Sequence, residues 1–172
     1  MSVDSNYQRP IDALARLVDQ PRLPGARLSP DYAWMCFFRR PGLENIWDLA
    51  GPELKLAGVR FNPERYAPSR SGFTYDQILM RNLETSESWE IQGIPSGKIH
   101  VPTWSPDSST LVFVLEEQDG LRLWAVAAGE KKARQLSAKR INGVLPGGLY
   151  RWSPDGKSLL TRLVVELSLI HI

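Results

Sequence analysis

Three Ser-Pro-Asp tripeptides, each ahead of a run of apolar residues, predict an all-β fold. The fold expected is a partial β-propeller of about two and a half four-stranded antiparallel blades behind a short N-terminal helix. The copies are Ser29-Pro30-Asp31, Ser105-Pro106-Asp107 and Ser153-Pro154-Asp155, and the last two each follow a tryptophan, Trp104 and Trp152. Ser105 to Ser153 is a step of 48 residues, the length of one four-stranded blade. Ser29 to Ser105 is a step of 76, so the first unit carries an insertion.

The helix is read from Ile11, Leu14, Ala15 and Val18, which fall on one face at the i, i+3, i+4, i+7 spacing, with Pro10 suited to a first turn. Pro21, Pro24 and Gly25 end it, and from Leu28 onward short apolar runs alternate with turn residues. In the first unit a strand over 32–38 leads into an insertion at about 40–74, an interface or functional element by its length. One helical turn is expected in it over 44–51, and the blade resumes with strands in 76–85 and 88–95. The second unit, 101–137, is complete: a strand ending at Trp104, the Ser-Pro-Asp turn, the apolar run 110–117, a hairpin read as type I′ from Asp119-Gly120, a strand over 121–128, and an edge strand near 134–137. The third unit repeats that opening over 147–165. The chain divides accordingly into an N-terminal helical segment (1–27), the partial propeller (28–166) and a tail (167–172) expected to be non-native, as read-through at the edge of a gene would be.

An apolar content of 42% with 23% charged residues argues against wholesale disorder, and a formal charge of +2 without a basic stripe argues against nucleic acid as a partner. Cys36 is the single cysteine, so no intrachain disulfide framework exists, and its neighbours Met35 and Phe37 mark a small buried apolar residue. No stretch has the ~18–20 apolar residues of a membrane span, and residues 1–10 lack the apolar core of a signal peptide. The default compartment is the cytoplasm, or the periplasm if the N-terminus is truncated.

Motifs that carry chemistry are sparse. His100 and His171 lack neighbours at metal-ligand spacing, and His100 is expected at the surface or in a turn. Residues 67–72 lack the first glycine of a nucleophile elbow, and the glycines Gly147 and Gly148 precede a strand rather than a helix. Glu116 and Glu117 are adjacent on a strand and so point to opposite faces. Asp31, Asp107 and Asp155 recur at one turn position, which assigns them to stabilising three equivalent turns. Trp104, Trp124 and Trp152 are expected to pack between blades, whereas Trp47 in the insertion is the candidate for a contact outside the propeller. No catalytic, cofactor-binding or metal residue is assigned, and no cofactor is expected.

The Trp-Ser-Pro-Asp-Gly-Lys turn resembles the blade repeat of TolB-type propellers and of the prolyl oligopeptidase family of serine peptidases. The front half, with the helix, the Leu28-Ser29-Pro30-Asp31 strand start, Gly51-Pro52-Glu53-Leu54-Lys55-Leu56-Ala57-Gly58 and Pro68-Ser69-Arg70, is similar to bacterial relatives of the chloroplast glutamyl endopeptidase. That resemblance implies a propeller restricting which peptides reach a Ser-Asp-His triad in an α/β-hydrolase domain, which this chain lacks. Peptide would then be the partner, through that missing domain, with neither nucleic acid nor membrane. A TolB-like scaffold for protein binding, with no hydrolase domain, is the alternative; a WD-repeat scaffold is weaker, since Trp47-Asp48 lies in the insertion. Open sheet edges in so few blades predict a marginal, aggregation-prone isolated chain.

Overall fold

The computed structural model describes residues 10–42, 49–69 and 72–165. Helix α1 (Asp12–Val18) starts after Ile11 as its N-cap, so Pro10 lies just outside the first turn. No residue of α1 is buried, and Ile11, Leu14 and Val18 are exposed. Its amphipathic pattern is present, but none of its apolar face is buried among the described residues, Ala15 being half-buried at most.

Two four-stranded antiparallel meanders carry the core. The first is ordered β1 (Gly25–Leu28), β2 (Trp34–Arg39), β6 (Gln77–Asn82), β7 (Ser88–Glu90). The second is ordered β8 (Lys98–Trp104), β9 (Thr110–Glu117), β10 (Gly120–Ala127), β11 (Arg134–Gln135). A third unit begins with the pair β12 (Tyr150–Trp152) and β13 (Leu159–Thr161). The architecture is thus all-β, a partial propeller with one short helix. Between β2 and β6 the insertion forms a three-stranded antiparallel sheet of its own, β3 (Leu54–Leu56), β4 (Val59–Asn62) and β5 (Ala67–Pro68). The helical turn expected over 44–51 falls mostly outside the described residues, as do Trp47, His171 and residues 166–172.

The second sheet is buried on both faces, which is why 111–115 reads as an uninterrupted apolar run. Leu111, Phe113 and Leu115 alternate onto one face with Trp124 and Val126, where they meet Cys36, Phe38, Ile78 and Met80 of the first sheet. Val112 and Val114 turn the other way with Leu121, Leu123 and Ala125, against Ile141, Leu149, Trp152 and Leu159. Successive sheets therefore pack face to face, and each fully buried side chain contributes about 1.5–3 kcal/mol of burial. The tryptophans follow the same plan: Trp104 and Trp124 fill the first interface and Trp152 packs against the second. Cys36 is wholly buried there, and burial pushes its thiol up to about 12, so it packs as an apolar residue.

One hairpin differs from expectation. Gly120 pairs with Glu117, so the connection is Gln118-Asp119, and neither residue has a positive φ. The type I′ reading of Asp119-Gly120 is corrected to a turn held by Arg122, which reaches Glu117 and Asp119 at 2.6 Å each. Gly120 itself, at φ +143, leaves room for the insertion: a β-carbon there would stand 3.3 Å from the Arg65 carbonyl and 2.9 Å from Arg140.

Candidate functional site

The three recurring aspartates do not converge. Each closes its own six-residue loop by the same bonds. Ser29, Ser105 and Ser153 Oγ–H donate to Asp31, Asp107 and Asp155 Oδ1. Those carboxylates also accept the backbone N–H of Ala33, Ser109 and Lys157, each at 3.1 Å. The serine oxygens in turn accept the N–H of Trp34, Thr110 and Ser158 at 2.9, 3.0 and 3.0 Å. The fourth position of every loop, Tyr32, Ser108 or Gly156, has φ near the left-handed region at 62, 62 and 70°. The serine bonds hold all three carboxyls below their ordinary range. Adjacent loops also touch, since Asp31 N–H donates to Ser108 Oγ at 2.9 Å. These aspartates are consumed in turn formation.

The side-chain cluster that does assemble lies where the insertion meets the second sheet. His100, expected at the surface or in a turn, is inside β8 and only 5% exposed. His100 pairs with Val114 in register, so Glu116, two residues on, is its diagonal neighbour on the same face. The His100 Nε2 lies 2.8 Å from Glu116 Oε2, so the ring proton sits on Nε2 and donates to the carboxylate. Arg65, from the turn between β4 and β5, donates from Nη1 to the other oxygen at 3.3 Å. Glu116 is 8% exposed; burial pushes its pKa up, but His100, Lys98 and Arg65 outweigh that and hold it below the ordinary range. Glu117 points away and pairs with Arg122, so the two neighbouring glutamates do face opposite sides.

Beyond His100 the strand carries a bulge, with Val101 and Pro102 opposite Phe113 alone. Val101 has φ +47, a conformation that costs a β-branched residue about 1–3 kcal/mol. Proline suits a bulge because no ladder hydrogen bond is asked of its nitrogen. Tyr150 of β12 holds this bulge: its hydroxyl lies 2.6 Å from Val101 O, 2.8 Å from Val112 O and 2.7 Å from Thr103 Oγ1. With one phenolic proton shared by two carbonyls, Thr103 must donate to the phenol oxygen. Burial raises the Tyr150 pKa, partly offset by Thr103.

A groove of about 550 Å³ opens beside the bulge. Pro68 and Phe73 of the insertion form one wall, Val101 and Pro102 a second, and Leu145 and Leu149 a third. Val101, Leu145 and Phe73 are exposed there, the last at 69%. The lining offers apolar surface for a side chain, with His100 at its edge bonded to a carboxylate rather than to a hydroxyl or thiol. Among the described residues, no group of three His, Cys, Asp or Glu side chains stands where it would hold a metal ion, and no helix is long and apolar enough to cross a membrane.

The His100–Glu116–Arg65 cluster escaped sequence reasoning because its members lie 16 and 51 residues apart. One signal was present. Glu116 continues the 112, 114 alternation of a strand buried on both faces, and a carboxylate in such a position requires partners.

No family model matches the chain. Two curated plant proteins named as chloroplastic glutamyl endopeptidases do. The one from Arabidopsis thaliana is 36% identical over 120 residues, 66% of this chain and 12% of its own length. The one from Oryza sativa subsp. japonica is 35% identical over 141 residues, 76% of this chain and 15% of its own. The peptidase YuxL of Bacillus subtilis (strain 168) is 28% identical over 117 residues, 59% of this chain and 17% of its own. The matched region thus spans under a fifth of each of these relatives. Taken with the blade-like sheets, these similarities make the chain a relative of the prolyl oligopeptidase family of peptidases.

Proposed function

We propose that this chain is a non-catalytic propeller segment of a serine-type endopeptidase, and that its blades restrict which peptides reach a hydrolase domain elsewhere in the whole protein. The observation that carries this reading is the 36% identity to a chloroplastic glutamyl endopeptidase, over a region that is 12% of that protein. Local chemistry agrees with it. The recurring aspartates are spent in turns, and the buried histidine serves a carboxylate that anchors the insertion. Gating by a packed propeller excludes substrates by size before it selects them by sequence.

The test is peptide hydrolysis by the native protein that carries this sequence. Short unfolded peptides should be cut while folded proteins containing the same sequences resist. No hydrolysis of either would overturn the peptidase reading, and equal cutting of both would overturn the gating.

A further inference from the structure

We propose that residues 143–148 form a strap whose closed position, and with it one wall of the groove, is set by the guanidinium of Arg162. The inference stands apart from any peptidase activity. Arg162 directly follows β13, and its backbone is fixed without its side chain: Asn142 N–H donates to Arg162 O at 2.8 Å, and Val164 N–H to Arg140 O at 2.9 Å. The chain leaves this short pairing at Asn142, loops out over 143–148 and returns at Leu149, which packs against the core between the second and third sheets. There Thr161 Oγ1 donates to Leu149 O at 2.8 Å. Both ends of the loop are therefore tied.

Between its ends the loop wraps around one side chain. Arg162 Nη1 donates to Pro146 O at 2.9 Å, and Nη2 to Leu145 O at 3.0 Å and, less closely, to Gly148 O at 3.4 Å. Carbonyls from three of four successive residues thus converge on one cation. A planar guanidinium suits this task, because its donors diverge in a fixed fork and its charge strengthens each bond. Gly147 permits the curvature: its φ is +104, and a β-carbon there would stand 3.8 Å from Nη2. Take the guanidinium away and the three oxygens face one another with their negative ends together. Turning outward to water relieves that repulsion, and it moves the middle of the loop while the tied ends stay. Leu145 sits on that middle and is 50% exposed, whereas Leu149 of the same wall sits on the tied end. The wall is thus movable at Leu145 and fixed at Leu149, so Arg162 sets how far the groove opens.

A nitroxide attached at Leu145→Cys in the native protein tests this, since wholly buried Cys36 takes no label. The signal of equally treated protein that keeps Leu145 is subtracted. Arg162→Met keeps the stem and removes the donors, and it should shorten the rotational correlation time of the label by about twofold or more. Arg162→Ala should do the same and leaves space for a free ion, so millimolar guanidinium chloride should restore the slow motion where equal sodium chloride does not. Either variant decides the mobility question if the other fails to fold. A label at Lys157→Cys, on the exposed third Ser-Pro-Asp loop, should be unaffected throughout. Unchanged motion at 145, equal loosening at 157, or restoration by neither salt or by both alike would overturn the proposal.

Discussion

Tyr150→Phe removes one oxygen and tests whether the third unit is truly docked on the second. That oxygen is the shared partner of Val101 O, Val112 O and Thr103 Oγ1, at 2.6, 2.8 and 2.7 Å. Without it the ring still fits, but two carbonyls at a strained bulge lose their donor and the threonine hydroxyl loses its acceptor. Leaving a buried polar group unsatisfied costs about 1–3 kcal/mol, and of the two carbonyls that of Val112 bears this cost, since exposed Val101 can turn to water. Thr103 can turn its proton toward a freed carbonyl, so the loss should stay within that single range rather than reach a multiple of it. Equilibrium urea unfolding of wild type, Tyr150→Phe, Thr103→Val and the double variant measures it. The double variant should cost less than the sum of the singles, with a coupling of about 0.5 kcal/mol or more, because both act on one network. A loss below about 0.5 kcal/mol that adds without coupling would refute the docking argued from these bonds.

Three further outcomes follow from the same geometry. Ser105→Ala should destabilise by about 1–3 kcal/mol and Ser153→Ala by less, because the loops are alike in bonds but Ser105 is 1% exposed and Ser153 is not buried; equal losses in urea unfolding would contradict this. Asp31, Asp107, Asp155, Asp119 and Glu116 are all held below their ordinary values of 3.8 and 4.5. The unfolded chain therefore binds more protons in acid, so their stabilisation is fully present above those values and is lost as pH falls through the depressed ones. The urea midpoint should be flat near neutrality and drop below about pH 4.5, and a midpoint that rose in acid would break the argument. Cys36, wholly buried with its thiol pushed up to about 12, should resist iodoacetamide in the folded protein and react at once in urea.

What was legible in the sequence was local or periodic. The Ser-Pro-Asp loops close through bonds that span at most five residues, so their repetition shows directly in the chain. The run from Leu111 to Leu115 announced a buried strand, which the structure shows to be covered on both faces, and the spacing of Trp104 and Trp152 announced two equivalent places in successive sheets. The insertion's sheet was hidden because β3 buries none of its three residues, which leaves no alternation to detect. His100 was misread for a different reason: its setting is fixed by Glu116 and by Arg65, and Arg65 arrives from a segment docked from another sheet. The turn at Gln118-Asp119 was missed because the register, set by Glu117 opposite Gly120, puts the glycine after the turn instead of within it.

Labelling the native protein with a fluorophosphonate and mapping the modified residue by mass spectrometry tests the central claim most directly. The account predicts one labelled serine, abolished by prior heat unfolding, in a peptide outside the 172 residues described by this sequence. A labelled serine within them, or a folded protein that takes up no label, would contradict it.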